Sequence, residues 1–483
     1  MAKLRNLIEY ITRDDVLEAA WKNAAKHLPK HCEWKAKRSM AADVAAVREM
    51  ILSGAIPQRK YKPREYKEGA DKKERIITPQ RFFPHGIILN AMKLAIEPEI
   101  DRRLIYDTSA GRHGKGQVFG ALRIKAAIRR HPECQWAVVA DLRKCYVTIP
   151  HSLVRRSLRK LIADESFLSL FDRIVLDYHD DSEELLREEY EKKMRCCTWA
   201  SLEPFDTGGV RGLCIGGTLS QLLENLILNE LDHFMIEAGA VGYHRHCDNF
   251  FFLAHSKAKA RALLTLLDAE CNKLGLCLKH DSFYAQVPDR KLHIKGRAID
   301  ILGYVFTRDF MKMRKRNKKH FARSMKRVKS ARRRREICAA YYGIAKWGNC
   351  RNLWRCLTKR YNMAFRDFNI ITEDVSRDKS GRRIFNVPER KQSEIAADGS
   401  SIWIHDFEAG LTIHGKPDRC SVLYSEHTID GPRRKFITSS ALIIAKLRRA
   451  TEIEANEGCE IFPQETMLRQ CALSGGRYTY DID

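Results

Sequence analysis

The sequence lacks any uncharged apolar run that approaches the ~18 residues of a membrane-spanning helix. Residues 1–6 lead into a helix-like segment at residues 14–21, where a secretory signal would carry its apolar core. We therefore expect a cytoplasmic protein that is neither secreted nor embedded in a membrane.

Paired cysteine motifs are also absent. The fifteen cysteines are scattered between Cys32 and Cys471, and none forms a Cys-x-x-Cys pair. This spacing disfavours both a zinc ribbon and a disulfide framework. We expect reduced, mostly buried thiols.

Acidic residues are outnumbered by basic residues. The 483 residues include 87 Lys and Arg against 61 Asp and Glu, which leaves a formal net charge of +26. A field of that sign attracts polyanions, so nucleic acid is the favoured partner, and an inert basic surface is the alternative. A chain of this length can bury a large core and hold more than one domain.

Two short strand-like segments each end on an aspartate. Residues 136–141 read Trp-Ala-Val-Val-Ala-Asp, residues 243–248 read Tyr-His-Arg-His-Cys-Asp, and a glycine-rich segment at residues 212–221 lies between them. Phosphoryl transfer to a 3′-hydroxyl uses two divalent metals about 3.5–4 Å apart, which prefer oxygen ligands. Either aspartate alone could simply cap a strand or turn. Together, Asp141 and Asp248 are our predicted metal ligands and indicate a polymerase palm.

Residues 55–365 resemble the sequence blocks of reverse transcriptases. Asp141 followed five positions later by Tyr146 is similar to the first palm motif of that family. The resemblance implies that Asp141 and Asp248 hold Mg²⁺, with Mn²⁺ as an alternative. It also implies that Tyr146 is a steric gate that favours dNTPs over nucleotides with a 2′-hydroxyl, where the alternative is a core tyrosine.

The glycine-rich segment is similar to the second palm block. Its Ile-Gly-x-x-x-Ser-Gln form is that of diversity-generating retroelement enzymes and some related bacterial reverse transcriptases. Gly216 lets the backbone approach a base pair without a Cβ, and Ser220 and Gln221 carry groups that can hydrogen-bond template or nucleotide.

The third palm motif departs from the family. Residues 243–254 are predicted to form a hairpin with Asp248 at its tip, and Asn249 stands where most members carry a second aspartate. The resemblance makes Asn249 a catalytic residue, although an amide oxygen binds metal only weakly. The two histidines and the cysteine within residues 244–247 could suggest zinc, but adjacent strand residues point to opposite faces, which disfavours that site.

Other blocks extend the resemblance along the chain. A fork of cationic side chains suits triphosphate oxygens, and basic loops and helices suit a duplex backbone. The resemblance implies nucleotide binding by Lys73, Arg75 and Lys279, with His280 as the other candidate acid for the leaving pyrophosphate. It implies nucleic-acid binding by Arg112, Lys115, Gly303 and Tyr304, and by Lys312, Arg316 and Lys319 within a run of fourteen Lys or Arg at residues 312–335. Ordinary basic surface is the alternative for these groups.

We predict an α/β right-hand polymerase. Its parts are a helical segment at residues 1–56, fingers at 57–135, a palm at 136–307, a helical thumb at 308–370 and a β-rich C-terminal extension at 371–483. The acidic helical insert of the palm, residues 177–193, is predicted to be a solvated face without a function. The extension could form a small barrel for single strands, dock a partner or pack on the thumb.

The implied reaction is RNA-directed DNA synthesis from dNTPs by a bacterial or phage-encoded enzyme. The glycine-rich block favours a diversity-generating retroelement enzyme, which copies a template RNA with errors at adenines and acts with an accessory protein. An antiphage-defence enzyme, templated by a noncoding RNA or extending a protein primer, fits Asn249 and the long extension. A silent RNA-binding scaffold is the alternative from another class, and the joint presence of Asp141, Tyr146, Gln221 and Asp248 argues against it.

Overall fold

The structure is a computed structural model of the chain. It describes residues 3–26, 28, 30–68, 73–78, 81–361, 375–377, 383–385, 387, 389–399, 401–413, 416–426, 433–457, 464–472 and 478–482. Two compact units are present, the first comprising residues 1–329 and 343–352 and the second residues 330–342 and 353–483. No helix within the described ranges is long and apolar enough to cross a membrane.

Helices are found in both units. They are α1 (Leu7–Ile11), α2 (Asp14–Ala25), α3 (Lys30–Ser53), α4 (Ile87–Arg103), α5 (Gln117–Arg130), α6 (Cys145–Thr148), α7 (His151–Leu161), α8 (Glu165–Val175), α9 (Glu183–Cys196), α10 (Ser220–Glu237), α11 (Lys257–Lys273), α12 (Lys315–Arg327), α13 (Ala331–Ala345), α14 (Arg351–Thr358), α15 (Gln392–Asp398) and α16 (Ala441–Glu457). A π turn spans Phe82–Gly86 and a 3₁₀ turn spans Lys359–Tyr361.

The strands alternate with the helices. They are β1 (Arg64–Glu68), β2 (Lys73–Ile77), β3 (Trp136–Asp141), β4 (Val241–His246), β5 (Asn249–Ala254), β6 (Phe283–Gln286), β7 (Ile299–Ile301), β8 (Tyr304–Phe306), β9 (Met311–Met313), β10 (Val375–Arg377), β11 (Arg383–Phe385), β12 (Ile402–Ile413), β13 (Lys416–Glu426), β14 (Arg433–Thr438), β15 (Gln464–Thr466), β16 (Leu468–Ala472) and β17 (Tyr478–Ile482).

The N-terminal helices pack against α4. Helix α2 begins with two aspartates, which suit the positive end of the helix dipole. Its buried side chains, among them Leu17 and Trp21, recur at helical spacing and face the core. The Trp21 indole nitrogen donates a hydrogen bond of 3.0 Å to Asp43 on α3, which ties these two helices together.

The central sheet of the first unit has the strand order β4-β5-β3-β6, with antiparallel pairing throughout. Strand β3 has an unbroken run of apolar residues because both faces of the sheet are covered. Val138 and Ala140 belong to the larger core cluster, while Ala137 and Val139 belong to a second cluster on the other face. This arrangement leaves the polar end of β3, at Asp141, at the edge of the core.

Strands β4 and β5 form the hairpin that the sequence predicts, with Asp248 in its turn. Cys247 adopts a positive φ of 52°, which closes the two-residue connection. A second antiparallel sheet, β7-β8-β9, has a tight turn at Leu302 and Gly303, both with positive φ. The predicted α/β right-hand polymerase fold class is confirmed. Helices and strands are mixed along the chain, and the central sheet is β4-β5-β3-β6.

The acidic insert is not a solvated face along its length, so that prediction was wrong. Within α9, Glu189 is 4% exposed and Lys193 is fully buried. The Lys193 ammonium lies 2.6 Å from Asp268 on α11, which is also fully buried, and donates to Asn272 at 3.2 Å. The sequence does not reveal the buried face of α9, because the partner of Lys193 lies 75 positions away in sequence.

The second unit has its own hydrophobic cluster. Its four-stranded sheet has the order β14-β13-β12-β15, and β16 pairs with β17. Residues such as Ile402, Tyr424, Phe436 and Ile443 form the core between sheet and helices. Among the described strands the sheet is open, so they do not by themselves close the barrel considered from the sequence.

We expect Lys193→Met to destabilise the docking of α9. The change leaves the Asp268 carboxylate buried without its cation, and breaking a buried pair in this way costs about 3–5 kcal/mol. Lys160→Met is the matched control, because Lys160 pairs with Glu230 at the same 2.6 Å but with about half of each side chain exposed. Such a pair is worth about 0–1 kcal/mol.

Hydrogen exchange of the α9 amides measures the two effects. Faster exchange is expected in Lys193→Met alone. Equal protection in the two variants would show that the buried pair does not hold the insert.

Candidate active site

The two predicted metal ligands meet at one end of the central sheet. Asp141 is the last residue of β3 and lies directly opposite Asn249, the first residue of β5. Asp248 precedes Asn249 in the turn, and its carbonyl accepts a hydrogen bond of 3.2 Å from Leu142 N. Antiparallel pairing therefore brings two carboxylates together from positions 107 residues apart in the sequence.

Both carboxyls have raised pKa values. Burial, followed by the charge of Asp248, raises the pKa of Asp141 to about 7, and Lys279 opposes this only in part. Burial and the charge of Glu224 raise the pKa of Asp248. Like charges in a desolvated site disfavour joint ionisation.

The residues present fit divalent metal ions. Oδ1 of Asp141 is buried, and no described residue donates a hydrogen bond to it. Hard cations use such carboxylate oxygens and take further ligands from water and substrate phosphates. Across the described ranges, no group of three or more His, Cys, Asp or Glu is arranged to hold a metal. The carboxylates of Asp141 and Asp248 could hold Mg²⁺ or Mn²⁺ only with the further ligands that water and substrate supply.

Asn249 faces Asp248. Its side-chain nitrogen donates a hydrogen bond of 2.9 Å to Asp248 Oδ1. An aspartate at this position would add a third negative charge. The amide instead stabilises the Asp248 carboxylate by donating to it.

Lys279 lies at the site, whereas the neighbouring His280 points to α9. The Lys279 ammonium forms an ion pair with Asp141, and Lys279 N donates to the Asp141 carbonyl at 2.9 Å. Glu189 accepts from both His280 N at 2.8 Å and His280 Nδ1 at 2.6 Å. Glu189 also lies 3.2 Å from Arg143 Nε, so the insert holds the segments on both sides of the site.

Tyr146 lies on the single turn α6, just after Asp141 in sequence. Its hydroxyl donates a hydrogen bond of 2.7 Å to Glu224 on α10. Its ring packs against the larger core cluster but is not fully enclosed. Sequence reasoning missed Glu224, although a glutamate within the apolar run of α10 is an unusual residue that needs a partner.

The glycine-rich segment leads into α10. Gly216 has a φ of 91°, where a Cβ would also approach Ile77 to 3.0 Å. Ser220 is buried and donates to the Cys214 carbonyl at 2.7 Å, so its hydroxyl is engaged within the protein. Gln221 donates to Cys247 Sγ at 3.5 Å, which places its amide beside the turn that carries Asp248.

A fully buried ion pair lies beneath that turn. Arg245 on β4 contacts Asp232 on α10 through two hydrogen bonds of 2.7 and 2.8 Å. The same guanidinium donates to the Cys247 carbonyl at 3.0 Å. Sequence reasoning also missed this pair, for which an arginine in the middle of a buried strand is the signal.

The histidines beside the turn contact a serine. His244 Nε2 and His246 Nδ1 lie 3.0 and 2.9 Å from Ser109 Oγ. Cys247 faces Gln221 instead. The three side chains therefore do not converge on one point.

Several residues predicted to bind nucleic acid have protein partners. Arg112 pairs with Asp101 at 2.6 Å and donates to three backbone carbonyls. Lys115 donates to the Tyr106 carbonyl at 2.6 Å. Tyr304 is buried, with its hydroxyl donating to Ile344 O at 3.0 Å. The adjacent Gly303 is buried too and has a φ of 78°, and a Cβ there would lie 2.9 Å from Gln117 Nε2.

The remaining predicted contacts are cationic. Lys312, Arg316 and Lys319 are exposed, and the last two line a cavity of about 510 Å³ together with other basic side chains at the start of α12. Lys73 and Arg75 lie on β2, opposite β1, and their side chains are outside those that the structure describes.

Comparison with known proteins agrees with this arrangement. Residues 87–306, a little under half of the chain, match the family described as reverse transcriptase (RNA-dependent DNA polymerase). No curated protein matches the chain.

Two solved structures are distant matches. One is the RNA-dependent RNA polymerase of a human picorbirnavirus, at 10% identity and a TM-score of 0.33, covering 64% of this chain and 58% of that one. The other is telomerase from Candida albicans with a fragment of telomeric RNA, at 11% identity and a TM-score of 0.29, covering 71% and 65%. The chain spans under two thirds of the length of each, and scores this low carry no argument.

The sheet with its two facing aspartates, flanked by helices, has the fold of a polymerase palm. Residues 87–306, which contain this sheet and both aspartates, are similar to the reverse transcriptase family.

We expect Asp141→Asn to stabilise the metal-free protein, and more at about pH 8 than at about pH 5. The carboxyl has a pKa of 3.8 when unperturbed and about 7 in the fold. Between these values the folded state holds a proton that the unfolded state releases, so wild-type stability falls as pH rises. Asparagine has no charge to bury and avoids that loss.

Thermal unfolding in a chelator at both pH values tests this expectation. The control is Asp281→Asn, which changes an exposed aspartate in the loop that carries Lys279. Wild type and Asp141→Asn with the same pH dependence would contradict it. Added Mg²⁺ is expected to stabilise the wild type more than Asp141→Asn.

Proposed function

We propose that this protein is an RNA-directed DNA polymerase that adds dNTPs to a primer on an RNA template by two-metal nucleotidyl transfer. The observation that carries the proposal is the pair of half-buried carboxyls with raised pKa values, Asp141 and Asp248, which meet at one end of the central sheet within the region similar to reverse transcriptases. Burying two such charges is costly unless a cation joins them.

The residues around the pair have distinct tasks. Asp141 and Asp248 hold the metals, which when bound would activate the primer 3′-hydroxyl and stabilise the leaving pyrophosphate. Asn249 orients the Asp248 carboxylate through its 2.9 Å hydrogen bond. Lys279 supplies a positive charge, and a proton for the pyrophosphate, from its position beside Asp141. Tyr146 faces the sugar of the incoming dNTP and excludes a 2′-hydroxyl.

Cationic surfaces would bind the substrates. Lys73 and Arg75 of the β1-β2 hairpin clamp the triphosphate, and Gly216 and Gln221 contact the nascent base pair. The basic side chains at the start of α12 line an open cavity that suits a phosphate backbone. The domain bounds predicted from the sequence, with fingers, palm and thumb in that order, form part of this proposal.

Within this class we propose a diversity-generating retroelement enzyme with a template RNA and an accessory protein. The support is the Ile-Gly-x-x-x-Ser-Gln block at residues 215–221. An antiphage-defence enzyme with a noncoding RNA template or a protein primer is the second candidate, and Asn249 favours it.

Purified protein is expected to extend a primed RNA template with dNTPs and Mg²⁺ or Mn²⁺. Asp141→Asn and Asp248→Asn should each reduce synthesis by more than about 100-fold, the upper range for loss of an outer-shell partner of a metal ligand. Asp281→Asn, exposed in the loop next to Lys279, should retain synthesis.

The outcomes separate the classes of protein. Equal synthesis by wild type and both site variants would contradict the assigned ligands. No synthesis by any form, together with tight RNA binding, would favour the scaffold.

Sequencing of the products tests the subtype. A retroelement enzyme is expected to misincorporate opposite template adenines and to copy other bases more faithfully. Errors spread evenly over the four template bases would contradict the retroelement assignment and favour the defence enzyme.

A further inference from the structure

Glu224 is a buried carboxyl beside the site, and the proposed chemistry assigns it no role. It lies in the second turn of α10 and is fully buried. Oε2 accepts the 2.7 Å hydrogen bond from Tyr146. Oε1 is buried too, and no side chain in the described part of the chain donates to it.

A carboxyl at this position is costly for the fold. Its neighbours on α10, Leu222, Leu223, Ile227 and Leu228, are buried and apolar. Burial raises the pKa of Glu224, and the Tyr146 hydroxyl and the charge of Arg245 oppose that rise. An apolar residue would fill the same space without the desolvation penalty. The polar groups that Glu224 contacts on α6 are the Tyr146 hydroxyl, at 2.7 Å, and the Cys145 thiol.

Tyr146 needs such a partner. Helix α6 is a single turn of four residues, which by itself holds a side chain weakly. The turn is entered through Lys144 in the left-handed region, with a φ of 43°, so the backbone changes direction just before the tyrosine. A hydrogen bond at the far end of the ring restricts the motion that the short helix leaves free.

We propose that Glu224 is a positioning residue that fixes the Tyr146 ring and thereby sets the preference of the site for deoxynucleotides. The inference rests on the proposed function, in which Tyr146 faces the incoming sugar. A ring held at both its backbone and its hydroxyl cannot move away from a 2′-hydroxyl. A ring held at the backbone alone can yield to it, because supporting groups set the position of a site residue.

The test is single-nucleotide incorporation with a dNTP and the matching rNTP on one primed RNA template. The quantity compared is the ratio of kcat/KM for the two nucleotides. Tyr146→Phe removes the donor and keeps the ring, and Glu224→Leu removes the acceptor. Each is expected to lower the ratio about tenfold, the effect of one hydrogen bond to a charged group.

The double variant shows whether the two residues act together. If Glu224 acts through Tyr146, Tyr146→Phe combined with Glu224→Leu lowers the ratio no further than either change alone. Glu224→Gln keeps an oxygen acceptor for the tyrosine hydroxyl and is expected to retain most of the preference.

Tyr243→Phe is the matched control. The Tyr243 hydroxyl donates to the buried carboxylate of Asp232, also at 2.7 Å, and Tyr243 is buried. Removing it deletes the same kind of bond at a residue that faces no substrate. Its ratio is expected to equal that of the wild type, even if its stability falls.

The results distinguish this inference from the proposed function. Wild type that incorporates neither nucleotide contradicts the proposed function and the inference with it. Active wild type with an unchanged ratio in Glu224→Leu, or with additive effects in the double variant, overturns the inference alone. Equal losses with dNTP and rNTP also overturn it, because they assign Glu224 to stability or to the charge of Asp248. Should Glu224→Leu fail to fold, Tyr146→Phe and Glu224→Gln decide by the same ratio.

Discussion

The close approach of the Asp141 and Asp248 carboxylates is the constraint on which much of the first unit depends. Both have raised pKa values because they are desolvated and close to other carboxylates. Desolvating two carboxyls side by side is costly, so the surroundings must hold the strands that carry them. The backbone pairing of β3 with β5 fixes the two strands side by side. The buried guanidinium of Arg245 fixes the turn by donating to the Cys247 carbonyl.

Buried ion pairs recur around the site as connections between distant segments. Arg245 joins β4 to α10, and Lys193 joins α9 to α11. Glu189 accepts hydrogen bonds from the loop of Lys279, so the insert supports the site without reaching it. The Arg245 and Lys193 pairs are fully desolvated, and removing one partner of such a pair costs far more than at the surface. The positions of the reacting groups thus depend on charges that never contact substrate.

The basic residues separate into two groups by their contacts. Arg112 and Arg245 are used inside the protein, where a planar guanidinium can satisfy several carbonyls and a carboxylate at once. Lys312 and Lys319 are exposed near the start of α12. Net charge indicates a polyanionic partner, yet only burial shows which cations are available to bind it.

Local sequence was sufficient for the elements that carry the site. The apolar run of β3, the hairpin around Asp248 and the glycine at position 216 are each dictated by nearest-neighbour geometry, and the structure has them where the sequence places them. The family resemblance of the same short blocks identified the palm.

Tertiary structure decided which side chains support those elements. The partners of Tyr146, Lys193 and Arg245 lie 78, 75 and 13 positions away in sequence, on helices whose relative placement no local pattern encodes. For the same reason the sequence predicts a solvated surface for the acidic insert, because the burial of a charged residue depends on the distant residue that neutralises it. Backbone geometry is a local property and could be predicted, whereas the compensation of buried charge is set by packing and could not.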